Sequence, residues 1–360
     1  LMSYPTPKGS VAVEAPGATQ DLNMLLHHGE APNEPGYTLD ELAHLSRSTH
    51  PSQRISAIRA LGNIVFKAKH AYYTLPQLPF ALPKSGPFEF FPNSLFLTHM
   101  VQELHIPIHI RIAIDDSSIT TILEGLYALH ALLCSDSDET AETHACIPQG
   151  TPTSYPLQPT DEHKQAFSTK SEWDNQSDTE RCQVDLIAAL LQTGLLSRLR
   201  YILSNKATPT ITTLILKIML RCARHSKDAC EHFKSCPNLL KTLKDILAPM
   251  SFTSTRPLDP NAPLLLRLVK AIAQGSRDVC EKAISVGLIS SCFKFIYLPT
   301  EVTTTLAIHT MVEALSVFTT CIQYAEFKSE IVNVLELLLE VLTWKSKSSS
   351  LPPHPRKHIL

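Results

Sequence analysis

The chain has 360 residues, of which 44% are hydrophobic, so it has enough apolar side chains for a sizeable core and is not disordered as a whole. Its formal charge is −2, whereas proteins that hold nucleic acid through its phosphates are usually strongly basic, so direct nucleic-acid binding is disfavoured. It has 11 glycines, none at the short spacing that a phosphate-binding loop needs, which excludes P-loop and dinucleotide sites.

The N-terminal third of the chain begins without periodicity and then becomes helical. Residues 1–36 are rich in Pro, Gly and Ala, which predicts a flexible leader, and they lack the apolar run of a signal peptide. Thr38 and Glu41 have the spacing of a helix capping box. Residues 37–134 are therefore predicted to form N-terminal helical repeats, in which Asp116 caps a further helix.

Three segments complete the predicted organisation. Residues 135–180 are acidic, polar and proline-rich without apolar periodicity, so we expect a mobile, disordered insertion. Residues 181–344 regain dense apolar spacing of three and four residues, which predicts C-terminal armadillo/HEAT-like repeats. Residues 345–360 are predicted to be a flexible tail. No uninterrupted apolar stretch approaches the roughly 18 residues of a membrane span, so no membrane partner is expected.

An internal repeat is the strongest evidence for the fold. After a shift of fifty residues, Leu216–Leu240 lies over Leu266–Ser290, and S-K-D-A-C-E meets S-R-D-V-C-E. Helical periods of about 40 to 50 residues are typical of HEAT and armadillo proteins, whose units must stack to bury their apolar faces. The sequence therefore predicts an all-α fold: an armadillo/HEAT-like helical repeat stack (α-solenoid) with a disordered acidic, Pro-rich insertion. Leu216–Ser235 and Leu266–Ser285 should form equivalent helix–turn–helix units.

Several strings resemble the C-terminal region of the RNA polymerase II-associated protein 1 family. They are GYTLDELAHLSRSTHPSQRISAIRALGNI (Gly36–Ile64), RIAIDDSSITTILEGLYALHALL (Arg111–Leu133), GLLSRLRYIL (Gly194–Leu203) and RCARHSKDACEHFKSCPNLLKTL (Arg221–Leu243). With the lead H-H-G-E at 27–30, the resemblance spans about Leu22 to Ala273, and residues 76–104 match poorly.

The resemblance implies a part of a longer protein that acts with RNA polymerase II. It implies partners such as RNA polymerase II subunits and the GPN-loop GTPases, a place in both cytoplasm and nucleus, and a role in polymerase assembly or nuclear import. These are implications of the family and do not follow from composition or periodicity.

Five possible zinc ligands crowd into fifteen residues: Cys222, His225, Cys230, His232 and Cys236. After the fifty-residue shift, Cys222 and Cys236 become Ile272 and Val286, so we interpret the cysteines as buried structural thiols and expect no metal site. The clusters His27-His28 and His99, His105 and His109 are interpreted as turn, loop or packing residues. Asp115-Asp116 is interpreted as a helix cap.

Candidate partner-contact residues are Arg198, Arg200, Arg221, Arg224 and His225. Arginines repeated on a helical stack could hold an acidic peptide through bidentate hydrogen bonds. The alternative is that they form salt bridges within the repeats or lie on solvated faces.

The sequence favours a non-catalytic protein-binding scaffold. No G-x-S-x-G, H-E-x-x-H or kinase-type string occurs, so we expect no enzyme and no cofactor, although a triad assembled from distant residues stays open. The alternatives are a helical-repeat nucleic-acid-binding protein and a nuclear-transport adaptor unrelated to the polymerase.

Overall fold

The computed structural model describes residues 2–5, 10–13, 36–70, 92–134, 173, 175–205, 207–252, 258–296 and 304–324. These residues form three short strands and fifteen α-helices. The chain divides into two compact units, residues 1–225 and residues 226–360.

The described part of the first unit contains nine helices. They are α1 (Leu39–Leu45), α2 (Pro51–Lys69), α3 (Pro92–Gln102), α4 (Ile106–Ile114), α5 (Ile119–Leu133), α6 (Asp178–Val184), α7 (Leu186–Gln192), α8 (Leu195–Asn205) and α9 (Pro209–Ala223). The long helices α2, α5 and α9 pack in succession, α4 packs against α5, and α6 packs against α3. Fully buried Ile58, Leu61, Ile122 and Leu126 belong to the core between α2 and α5.

The described part of the second unit contains six helices and one 3₁₀ turn. They are α10 (Lys227–Ser235), α11 (Leu239–Leu247), α12 (Ala262–Ala273), α13 (Arg277–Ser285), α14 (Leu288–Cys292), the 3₁₀ turn Phe293–Phe295 and α15 (Thr305–Tyr324). Here α12 packs against α15, α10 against α13 and α11 against α14. Helices at equivalent positions of successive repeats therefore pack against each other, as in a stack of repeats.

The predicted fifty-residue repeat is confirmed by element bounds and turn geometry. Helices α9 and α12 end at Ala223 and Ala273, and the next helices both have nine residues. Ser226 caps the first with φ −159° and ψ 168°, and Ser276 caps the second with φ −160° and ψ 165°. Each Ser side chain accepts a hydrogen bond from the N–H three residues on, at 3.1 Å and 3.2 Å.

A residue with left-handed backbone recurs before the last short helix of each repeat. His105, Gly194, Asn238 and Gly287 have φ of 49°, 75°, 58° and 80° and precede α4, α8, α11 and α14. Each repeat thus runs through a long helix, a short helix, a left-handed turn and a further helix. Positive φ favours Gly and then Asn, so the turn has a local sequence signal at three of the four positions.

The N-terminal segment differs from the prediction. Strands β1 (Met2–Pro5) and β2 (Ser10–Val13) lie inside the predicted leader, and β2 pairs antiparallel with both β1 and β3 (Tyr37–Thr38). Strands of four residues give too short an alternation to recognise, and the β2–β3 pairing is non-local. The other residues of 1–36, apart from Gly36, lie outside the described residues.

Helix caps were predicted with mixed success. The capping box of Thr38 and Glu41 is confirmed, with Thr38 N–H donating to Glu41 Oε2 at 2.8 Å. Asp116 as the cap of α5 is wrong, because Ser118 occupies that position and accepts from Thr121 N–H. Asp116 instead accepts the Ser118 N–H at 2.8 Å and pairs with Arg54 at 2.7 Å, so it fixes the turn before the helix.

The C-terminal boundary of the predicted insertion lies too late. Helix α6 begins at Asp178, and Ser177 and Glu180 form its capping box, so these residues belong to the folded unit. Arg181 Nε also donates to the Trp173 carbonyl at 2.9 Å. Residues 135–172 and the tail 345–360 lie outside the described residues.

Helix α15 has the length and hydropathy of a membrane span over Thr305–Gln323, although Thr, His and Glu interrupt its apolar residues. Half of that stretch is buried, and Glu313, 5% exposed, accepts from Arg267 Nε of α12 at 2.5 Å. A buried ion pair to a neighbouring helix is what a core helix makes, so we interpret α15 as part of the core of the second unit.

Candidate protein-binding surface

Each long helix carries a less buried side chain between two pairs of buried neighbours, and α2 also has Arg59 in such a position. In the first unit these side chains are Asn63 on α2, Tyr127 on α5 and Lys217 on α9. In the second unit the same pattern surrounds two partly buried residues, Val312 on α15 and Arg267 on α12, and Arg267 turns toward Glu313 of α15. Buried residues at i−2, i−1, i+1 and i+2 anchor both sides of the helix, which leaves position i facing away from the core.

Helices α2 and α5 approach each other closely beneath this position. A Cβ at Gly62 would lie 2.9 Å from Ala128 Cβ and 3.0 Å from Ala128 Cα, so the two backbones nearly touch there. Asn63 follows Gly62 and Tyr127 precedes Ala128, so the close approach also brings the two outward residues together. A larger side chain at Gly62 would have to move the α5 backbone.

The surrounding surface combines aromatic rings with an exposed cation. Phe66 is 48% exposed and Tyr127 is 46% exposed. Arg59 Nε and Nη2 donate to Glu124 Oε1 at 3.0 Å and 2.6 Å, with Arg59 58% exposed and Glu124 15% exposed. We call Arg59, Asn63, Phe66, Lys67 and Tyr127 the α2–α5 face. Exposed apolar surface with a polar rim marks interaction sites, so this face is the candidate protein-binding surface.

Arg198, a predicted partner contact, is used within the fold. Its Nε donates to the Ile114 carbonyl and its Nη2 to the Asp116 carbonyl, both at 2.9 Å. It also lies 3.3 Å from Asp115 Oδ1 and stacks 5.1 Å from the ring centroid of Tyr201. The guanidinium therefore caps the C-terminal end of α4, where unsatisfied carbonyls favour a cation.

The other predicted arginines are not gathered into an exposed clamp. Arg221 is 2% exposed near the end of α9, and Arg224 is the C-terminal cap residue of that helix. Arg200 is partly buried on α8, and its Nε has no hydrogen-bond partner among the described residues. These positions favour the alternative of intramolecular roles over direct contact with a partner.

His225 contacts an aspartate inside the first unit. Its Nε2 lies 2.9 Å from Asp185 Oδ1, and Asp185 also caps α7 by accepting from Ala188 N–H at 3.0 Å. Burial alone would raise the pKa of Asp185, but the hydrogen bond and charge of His225, with the N–H groups of Ala188 and Ile187, hold that pKa below its usual value. His225 therefore fixes the turn after α9 to the start of α7.

Cations that donate to helix C-terminal carbonyls recur along the chain. In the first unit, Lys69 Nζ donates to the carbonyls of Ala131 and Leu132, at 2.8 Å and 3.3 Å. In the second unit, Lys294 Nζ donates to the carbonyls of Leu247 and Ala248, at 2.7 Å and 2.9 Å. These two lysines therefore join one helix to the end of another and are unavailable to an anionic partner.

The cysteines of the suggested zinc cluster are buried. Cys222, Cys230 and Cys236 lie in helix-facing core positions, and burial raises the pKa of the Cys222 and Cys230 thiols to about 12. Metal ligation needs the thiolate, which burial disfavours. Within the described residues no group of His, Cys, Asp and Glu is arranged to hold a metal ion.

A contact between Ser46 and His109 has the residue types of a nucleophile and base but not the arrangement. Ser46 Oγ lies 2.6 Å from the Ala43 carbonyl, to which it donates, and 3.0 Å from His109 Nδ1, which donates to Ser46 in the tautomer with hydrogen on Nδ1. Ser46 is also 4% exposed. The hydroxyl is therefore closed to a substrate, and the contact joins the end of α1 to α4.

This architecture is that of the armadillo class of helical-repeat proteins. A designed armadillo repeat protein in complex with peptide (KR)4 matches with a TM-score of 0.51 at 14% identity, covering 89% of this chain and 95% of that one. At this identity the match establishes the fold alone, and the predicted all-α repeat stack is confirmed.

Sequence comparison finds relatives with one shared description. Residues 8–69 match the family described as RPAP1-like, C-terminal. RNA polymerase II-associated protein 1 of Bos taurus is 28% identical over 282 residues, which are 72% of this chain and 19% of that protein. RNA polymerase II-associated protein RBA50 of Saccharomyces cerevisiae is 52% identical over 52 residues, 14% of this chain and 12% of that protein.

These matches support the resemblance to the RNA polymerase II-associated protein 1 family that the sequence motifs predict. The chain spans about a fifth of the length of the mammalian relative.

The sequence prediction missed Asn63, Phe66 and Tyr127. The sequence contains a signal for two of them. In A-L-G-N-I-V, Asn63 lies between two pairs of small or apolar residues, and in E-G-L-Y-A-L, Tyr127 does. The apolar periodicity identifies such a position only as the side away from the core. It carries no information on which outward faces of neighbouring helices lie together.

Proposed function

We propose that this chain is a non-catalytic protein-binding scaffold within an RNA polymerase II-associated factor. It acts in polymerase assembly, nuclear import or transcription, in both cytoplasm and nucleus. RNA polymerase II subunits are its expected partners, in line with the names of its relatives. GPN-loop GTPases are further expected partners, which the resemblance of its motifs alone suggests.

The α2–α5 face is the observation that carries the proposal. It exposes two aromatic rings on tightly packed helices. By contrast, Ser46 and the cysteines of the suggested zinc cluster, the residues that could have carried chemistry, are buried in the packing of the helices. A designed armadillo protein of this fold has been solved with a peptide, so a stack of this kind is suited to holding a protein segment.

The test is binding of the purified full chain to purified RNA polymerase II. The immobilised chain should retain polymerase subunits at physiological salt, and a Tyr127→Ala variant with an unchanged melting curve should retain less. A GPN-loop GTPase applied separately examines the second partner class. If the chain retains neither the polymerase nor the GTPase, the proposal is contradicted.

A further inference from the structure

The charge on the outside of α2 and α5 is positive. The two helices contain four basic residues and one acidic residue: Arg54, Arg59, Lys67, Lys69 and Glu124. Arg54 is held by Asp116 and Lys69 by carbonyls at the end of α5, so these two are used within the fold. Arg59 is 58% exposed while its partner Glu124 is 15% exposed, so the cation of this pair is the group that faces solvent.

The aromatic rings lie within the same face. On α2, Arg59, Asn63 and Phe66 follow one another at spacings of four and three residues, which places them on one side of the helix. Lys67, partly exposed, flanks that row. Tyr127 lies on the neighbouring helix beside the Gly62–Ala128 contact, so rings and cations share one continuous surface.

We infer that the α2–α5 face binds an acidic protein segment in which a large apolar side chain lies between carboxylates. The apolar side chain packs on Phe66 and Tyr127, and the carboxylates meet Arg59 and Lys67. The inference rests on the proposed scaffold function and names the chemistry of the partner. Aromatic rings give the contact its affinity, and charge complementarity selects acidic over basic partners.

The full chain should be titrated into a fluorescein-labelled synthetic peptide in which Phe and Leu alternate with Glu and Asp, with anisotropy as the readout. Saturable binding that weakens with added salt is expected. A peptide with Lys in place of the acidic residues should not bind. A peptide with Ala in place of Phe and Leu should bind at least about tenfold more weakly, because it lacks the anchors.

Two pairs of matched variants place the site. Tyr127→Ala should weaken binding by at least about tenfold, and Tyr201→Ala, which removes a ring 43% exposed elsewhere in the same unit, should change it less than about twofold. Arg59→Glu should weaken binding by at least about tenfold, and Arg277→Glu should not. Both arginines are 58% exposed and paired with a glutamate, so they differ mainly in location.

Equal effects within each pair, in variants whose circular dichroism and melting curves are unchanged, would overturn the inference. So would tighter binding of a single-stranded RNA oligonucleotide that survives Tyr127→Ala, because the face would then not recognise an acidic protein segment. The proposed function has a separate test, the retention of RNA polymerase II. If the polymerase is retained equally by wild type and by Tyr127→Ala, the scaffold function stands and this face is the wrong site.

Discussion

Arg198 and Leu243 stabilise the fold by different means, one through hydrogen bonds and the other through burial. Arg198 donates to the Ile114 carbonyl, which the end of α4 leaves without a helical partner, and to the Asp116 carbonyl in the turn that follows. Leu243 is fully buried on α11, in the row that also contains Leu239 and Leu247. Substitutions at these two sites measure the two contributions separately.

Arg198→Met keeps much of the aliphatic stem and removes the donors. We expect the free energy of unfolding to fall by about 1–3 kcal/mol, because hydrogen bonds from a charged group are lost and buried carbonyls lose their partners. Urea denaturation followed by circular dichroism measures the change. Ser197→Ala, at an exposed neighbouring position, is the control and should shift it by less than about 0.5 kcal/mol. An unchanged midpoint for Arg198→Met would mean that water replaces the guanidinium.

Leu243→Ala removes a fully buried side chain and leaves a cavity. The expected loss is about 2–5 kcal/mol, and the same denaturation experiment detects it. Lys241→Ala, two residues away and exposed, should be nearly silent. A loss below about 1 kcal/mol would show that α11 collapses around the missing side chain.

Among the elements, the left-handed turn before the last helix of each repeat is the most specific to this fold. Gly287 has φ 80° and faces Lys244, whose Nζ donates to the Val286 carbonyl at 3.1 Å. A Cβ at Gly287 would lie 3.0 Å from that Nζ. Asn238, at the corresponding position in the preceding repeat, has φ 58°.

Gly287→Ala should therefore lower the free energy of unfolding by about 1–2 kcal/mol, from the left-handed backbone of an alanine and the displaced lysine. Asn238→Gly should be neutral or slightly stabilising, since glycine takes this conformation without a Cβ. Thermal melting of both variants gives the comparison. Equal melting temperatures for wild type and Gly287→Ala would indicate that the turn changes its conformation.

The helices follow from local sequence, and the candidate surface does not. Apolar side chains recur every three or four residues in α9 and α12, and Ser226 and Ser276 mark the starts of the next helices. The repeat is therefore predictable from the sequence. The β2–β3 pairing and the place of Tyr127 beside Gly62 depend on residues far apart in sequence. The position of an arginine in the sequence does not reveal the carbonyls that Arg198 contacts.

For the molecule as a whole, stability should depend on pH through two kinds of group. Burial alone would raise the pKa of Asp116, but the Ser118 N–H and the Arg54 side chain lower it. The stability that ionised Asp116 contributes is therefore lost only as the pH falls through that depressed pKa. Burial, with the charges of Arg47 and His105, lowers the pKa of His109 from 6.5 to about 4. His109 therefore affects the stability of the fold at higher pH than Asp116 does.

In this upper pH range the stability of the fold should depend on His109. Between about pH 6.5 and pH 4 the unfolded chain protonates His109 and the folded chain does not, so the unfolded state binds more protons and stability falls as the pH is lowered. Because the imidazole is partly exposed, we expect about 1–2 kcal/mol across the window. Urea denaturation at half-unit pH steps measures the slope. His109→Asn, which retains an N–H donor for Ser46, should flatten the curve, and the exposed control His50→Gln should leave it unchanged. If His109→Asn keeps the wild-type slope, another group titrates in this window.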